Sequence, residues 1–283
     1  MRAPSDRAVV APALSAVLAA SLLGLFVLPL VALFAYVGWG GFLFAVGDAG
    51  FWTSIEFTLL ASGIAVGLGL LTGVPLGYLL ARYRFRGREV VESIVLVPVV
   101  IPHLVVGVAL LLLFSPTSPV GAFAQSLGIP VINAIWGVVL VMLYVGASYV
   151  VLSSQLAFRA VDPETVDAAR SLGATPGEAF ATVTLVASAR GIATGALLMW
   201  ARGVSEIGAF LIVAYAILPS PPWFGPVTPP ASVYIWNLYN SSAGLLPAAS
   251  ASCLLVLVAL AIFLGVRLLD RSGLSTPRGG WLS

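Results

Sequence analysis

Arg202 and Glu206 stand four positions apart inside an otherwise apolar stretch of this chain. At that spacing they share a helix face and can neutralise one another. Ionisable groups at membrane depth are costly, so the pair is a candidate for a transport pathway or gate, with a structural ion pair as the plainer reading. His103, directly after Pro102 in another apolar stretch, has three readings: a pathway residue, a partner at a helix kink, or a side chain hydrogen-bonded within a bundle. One histidine, one cysteine and scattered carboxylates supply neither a metal cluster nor a nucleophile with its base, so no catalytic residue is expected. No G-x-x-x-x-G-K-[ST] run occurs, and the chain has no lysine to complete one. Cys253 is alone, which rules out an intrachain disulfide, and it reads as an inert residue of an apolar helix.

A second group of residues lies in a polar segment, 158–186. Asp162 followed by Pro163 reads as an N-cap with proline in the first turn, the chain is helix-compatible through Leu172, and Gly173 reads as a stop. Thr175, Pro176 and Glu178 form a second start signal, a capping box. The spacing predicts two short helices meeting at Gly173. Val166, Ala168, Ala169, Leu172, Ala179, Phe180 and Val183 give them more apolar surface than two isolated short helices can hide. Either the protein's own helix ends and the membrane interface cover that surface, or it docks another protein.

The elements that must position these residues are spanning helices. With 60% hydrophobic and 8% charged residues and a mean hydropathy of +1.08, the chain does not describe a water-facing surface. A spanning helix needs roughly 20 apolar residues. Six such stretches fit, at about 9–36, 54–81, 90–114, 135–156, 187–216 and 245–268, giving an all-α polytopic membrane protein with one domain over 1–283. The first stretch is about twice the length of a signal-peptide core and lacks a cleavage site, so a retained helix is expected. All thirteen basic residues are arginine, and the loops 38–52, 115–134 and 217–244 contain none. Arg2 and Arg7 before the first span, Arg82 to Arg88 after the second, Arg159 and Arg170 after the fourth, and Arg267, Arg271 and Arg278 after the sixth all fall on one side of the bilayer, while Arg190 and Arg202 lie within a span. Basic residues resist translocation, so both termini are expected in the cytoplasm. A net charge of +2 whose arginines follow topology points to no nucleic-acid partner. Gly63, Gly67, Gly69, Gly73 and Gly77 suit close helix packing, and Trp39, Trp52, Trp136, Trp223 and Trp236 fall near the outer boundaries.

Asp167-Ala168-Ala169, three residues, Gly173, nine residues and Val183-Thr184-Leu185 resemble the loop motif of ABC importer permeases, EAA, three residues, G, nine residues, I-x-L-P. The chain departs from it with Asp167 for Glu, Val183 for Ile and Val186 for Pro. Gly73-Val74-Pro75-Leu76, Val97-Pro98, Pro102 and Gly107 extend the resemblance. It implies a type I permease-like bundle in which segment 163–172 is the coupling helix. Asp162, Glu164, Val166, Asp167, Ala168, Ala169, Leu172 and Gly173 would then meet a cytoplasmic ABC ATPase dimer that binds ATP-Mg, this chain holding no cofactor.

The run Arg202-Gly203-Val204-Ser205-Glu206-Ile207-Gly208-Ala209, with Ala214-Tyr215, resembles molybdate and tungstate permeases; related sulfate permeases more often have glycine before the glutamate. Ser205 thus favours molybdate or tungstate, with sulfate or thiosulfate as the alternative. The resemblance further implies a homodimer in the plasma or inner membrane, fed by an extracytoplasmic oxyanion-binding protein. Its pathway candidates are Pro102, His103, Arg202, Ser205 and Glu206. A longer, proline-rich link over 218–230 departs from the family pattern. The competing reading is a secondary transporter or channel using Arg202, Glu206 and His103 as an ion relay, but the halves show no convincing repeat.

Overall fold

The computed structural model describes residues 7–217, 227–242 and 244–273, without the side chains of 7–13, 267 and 269–273. Readings that rest on Arg2, Trp223, Arg278, most of 218–230 and the side chains of Arg7, Arg267 and Arg271 lie outside the described residues. Among the described residues, five helices are long and apolar enough to cross a membrane. They belong to α1 (Arg7–Val46), α2 (Ala49–Arg82), α6 (Ile135–Arg159), α9 (Leu185–Val204) with its lead-in, and α12 (Leu245–Gly273).

The remaining expected span is broken. α3 (Arg88–Val100) and α4 (His103–Phe114) meet at 110° instead of forming one rod over 90–114. Pro102 is the cause: it has no N–H to continue the ladder and pushes Ile101 into extended backbone, φ −69° and ψ 135°. The fifth expected span is corrected too. α9 stops at Val204, a turn follows over 205–209, and the short α10 (Phe210–Val213) resumes the helix. The first span is longer than expected and runs to Val46, with a kink at Gly38 (φ 58°), so segment 38–52 is mostly helical. The other two arginine-free segments carry α5 (Pro119–Ser126) and α11 (Ala231–Asn240).

The loop 158–186 also differs from its expected form. α7 (Pro163–Ser171) is separate, but the second short helix, α8 (Pro176–Ala179), passes through a π turn (Phe180–Thr184) straight into α9. Val186 stands where the family motif has proline, and its retained N–H lets the helix run on.

The centre of the bundle is α2, α6 and α9. A Cβ on Gly77 would fall 2.8 Å from Ser154 Cβ and from the Val151 carbonyl oxygen, so α2 and α6 touch backbone to backbone there. Gly73 serves the same contact with α6 through Val150 and Val151, Gly69 makes room for Met199 of α9, and Gly63 and Gly67 face open space. Phe57, Val138, Val141, Met142, Val150 and Met199 fill the interior. α1 packs on α12 through Val37, Ala249 and Cys253, while Leu18, Leu25, Phe26 and Leu28 of α1 stay exposed, as suits a lipid-facing helix.

The two ends of the bundle are fixed by polar contacts. At one end Arg82 donates to the Val161 carbonyl (3.2 Å), and Glu92 of α3 accepts from Gln155 (2.6 Å) and Arg159 (3.1 Å) of α6. The arginine-bearing loops 82–88 and 159–173 therefore share one end. At the other end the Tyr234 hydroxyl donates to the Asp48 carboxylate at 2.7 Å. Burial, and then that carboxylate, push the Tyr234 phenol above its ordinary value.

Candidate functional site

The breaks in the third and fifth spans lie against each other, and three of the expected pathway residues meet there. Pro102 caps α4 and places His103 in its first turn. Arg202 is in the last turn of α9, and Glu206 follows in the turn beyond. Arg202 Nη2 donates to Glu206 Oε2 at 2.9 Å, and His103 Nδ1 lies 2.9 Å from the same oxygen. Arg202 Nη2 also touches both imidazole nitrogens. A neutral imidazole that presents its N–H to the carboxylate and its lone pair to the guanidinium satisfies all three groups.

Glu206 is fully buried, so the charge needs these partners. Its Oε1 accepts from the Ala209 amide at 2.9 Å, and its carbonyl accepts from Ser232 of α11. The exposed Ser205 donates to the Arg202 carbonyl at 3.0 Å and lies 3.4 Å from Arg202 Nη1, at the rim of the cluster. Close backbone approach makes the meeting possible: a Cβ on Gly208 would lie 3.0 Å from His103 Cβ, and one on Gly107 3.0 Å from Ala209 Cα. The cluster thus ties α4 to the end of α9 and, through Ser232, to α11.

The second set of expected residues forms one exposed element. Asp162 caps α7, its Oδ1 accepting from the Glu164 amide at 3.0 Å. Gly173 ends the helix at φ 98°, and its amide reaches the Arg170 carbonyl while the Ala174 amide reaches that of Ala169. This is a Schellman closure, whose left-handed residue favours glycine. The expected capping box is present, with Thr175 and Glu178 exchanging hydrogen bonds. No residue of α7 is buried; Asp162, Glu164, Asp167 and Ala168 are exposed, Val166 and Ala169 half-buried, and Leu172 is 90% exposed. Sequence reasoning missed the Glu92, Gln155 and Arg159 cluster beside this loop. The signal was available, since Arg88 with Glu92 and Gln155 with Arg159 are four-residue pairs at two span ends.

Residues 73–272 match the family described as binding-protein-dependent transport system inner membrane component. The chain belongs to this family. It is therefore a multi-pass membrane subunit of a transport system. Among its relatives, the molybdate/tungstate transport system permease protein WtpB of Pyrococcus furiosus is 37% identical over 220 residues, 78% of each chain. The molybdenum transport system permease protein ModB of Mycobacterium bovis is 31% identical over 252 residues, 89% of this chain and 90% of that one. A bacterial ABC transporter involved in the import of the acidic polysaccharide alginate contains a chain of the same fold, with a TM-score of 0.68 at 19% identity, covering 95% of this chain and all of that one.

Proposed function

We propose that this chain is the permease subunit of an ATP-driven importer of molybdate or tungstate. Two copies enclose the path, with both termini in the cytoplasm. A cytoplasmic ABC ATPase dimer binds ATP-Mg and docks on α7 through Asp162, Glu164, Val166, Asp167, Ala168, Ala169, Leu172 and Gly173. An extracytoplasmic binding protein delivers the oxyanion, which agrees with outer loops free of any basic residue.

The observation that carries this reading is the unbroken helix between the exposed loop and the charged cluster. From Pro176 to Val204 the chain is one 29-residue helical rod, roughly 43 Å long at 1.5 Å per residue. A push on α7, packed against the foot of that rod, moves its far end. There Arg202 and Glu206 hold α4 through His103, so the cluster acts as a latch between two broken helices. Releasing His103 frees α4 and opens Arg202, beside the already exposed Ser205, to a passing dianion, while Glu206 keeps the arginine's charge balanced between passages. Pro102 sets the hinge.

The substrate assignment rests on the likeness to the molybdate and tungstate permeases and on Ser205 before Glu206. Uptake into vesicles carrying the chain with its ATPase and binding protein tests it: tungstate or molybdate should compete with each other and sulfate should not. Equal competition by sulfate overturns the assignment.

A further inference from the structure

Four arginines cluster between α2 and α3. Their geometry adds a binding site. Over 82–88 the sequence alternates, Arg82-Tyr83-Arg84-Phe85-Arg86-Gly87-Arg88. The outer two arginines are used internally, Arg82 on the Val161 carbonyl and Arg88 on Glu92. Arg84 and Arg86 are exposed and pair with no group among the described residues. Gly87 turns the chain at φ 85°, and beside the turn lies a hollow of about 420 Å³ lined by Arg84, Phe85, Gly87, Arg88, Glu89 and Val90. The first turn of α3 above it has no side-chain cap.

Two apolar helices end at this hollow, so it sits at the boundary between hydrocarbon and water. Exposed apolar side chains flank it on both helices: Leu79 and Tyr83 on the α2 side, Val90 and Ile94 on the α3 side. A free anion would use the arginines and leave these surfaces idle. A molecule with a phosphate and adjoining acyl chains uses both. Glu89 in the wall disfavours a polyanionic head and suits a single phosphodiester.

We propose that the α2–α3 turn is a binding site for an anionic glycerophospholipid, in which Arg84 and Arg86 hold the headgroup phosphate and the flanking apolar side chains take the first carbons of the tails. The site lies next to the Glu92 cluster at the α7 end of the bundle and is independent of the transported substrate.

Native mass spectrometry of the purified full chain, titrated in detergent with phosphatidylglycerol or phosphatidylcholine, tests it. The wild type should hold phosphatidylglycerol in clear preference to phosphatidylcholine, and R84Q/R86Q should bind phosphatidylglycerol roughly thirtyfold more weakly, at ~1 kcal/mol per arginine near a lipid headgroup. R84K/R86K should keep most of the binding. Both side chains are exposed and unpaired, so thermal unfolding of the variants should match the wild type. Three results overturn the proposal: no headgroup preference in the wild type, equal binding by R84Q/R86Q, or displacement of the lipid by millimolar inorganic phosphate. Loss of ATPase association in R84Q/R86Q with lipid binding unchanged also overturns it, marking the turn as a protein contact.

Discussion

Replacing Arg202 by methionine removes a guanidinium whose side chain is 19% exposed from a carboxylate that is fully buried. Glu206 Oε2 then keeps only His103, while Oε1 keeps the Ala209 amide. Breaking a buried pair from one side costs about 3–5 kcal/mol, because the remaining charge is left uncompensated. The expected loss is therefore about 3–5 kcal/mol for Arg202→Met. R202M/E206Q removes both charges and should recover at least ~2 kcal/mol of it, since hydrogen bonds to Ala209 and His103 remain available to the amide. Unfolding by sodium dodecyl sulfate in mixed micelles, followed by circular dichroism, reads both differences. If the single variant unfolds at the wild-type detergent fraction, or the double variant is less stable than the single, the cluster does not hold the broken helices together.

Other consequences follow from the packing and the caps. Gly77→Val should destabilise by about 1–3 kcal/mol in the same assay, because its Cβ meets the Val151 carbonyl, whereas Gly67→Ala, facing open space, should be neutral or slightly stabilising. Thr175→Ala removes one half of the capping box and should cost about 0.5–2 kcal/mol, read as faster proteolysis of the α7–α8 junction. Tyr234 should stay protonated at pH 10–11, where a free phenol ionises, as followed by absorbance at 295 nm. The unfolded chain loses this proton first, so the stability it contributes is present below pH 10 and is lost as pH rises from there towards the folded value.

The elements whose signals are local were legible in the sequence. Asp162-Pro163, Gly173 and Thr175-Pro176-Glu178 each fix one turn of backbone through their own side chains or φ angle, and each appears as read. That five of the six apolar stretches form long membrane-crossing helices was equally plain, since length and composition alone set them, although the fifth runs over Pro176–Val204 and not 187–216. What the sequence hid depends on partners distant along the chain. Pro102 announced a break but not its 110° angle, which follows from α4 packing on 206–212 through Gly107 and Gly208. That the Arg202–Glu206 pair takes in His103, ninety-nine positions from Arg202, needed the fold. The continuity of α8 with α9 was missed because a capping box and a following proline-free stretch look the same whether the helix stops after one turn or eight. Gln155, central to the Glu92 cluster, carries no charge and reads in sequence as an ordinary residue of an apolar helix.

The proposed function requires α7 to be where the energy-supplying subunit grips this chain. Its most direct measurement is co-purification of the tagged chain with its co-expressed ATPase, comparing wild type with Leu172→Asp and Asp167→Lys. Both side chains are exposed and neither is in the bundle core, so membrane insertion and unfolding should be unchanged. The ATPase should be lost from both variants, with at least a tenfold fall in recovery, while the chain itself is recovered at wild-type yield. Undiminished recovery of the ATPase with either variant, together with undiminished vesicle uptake, would contradict it.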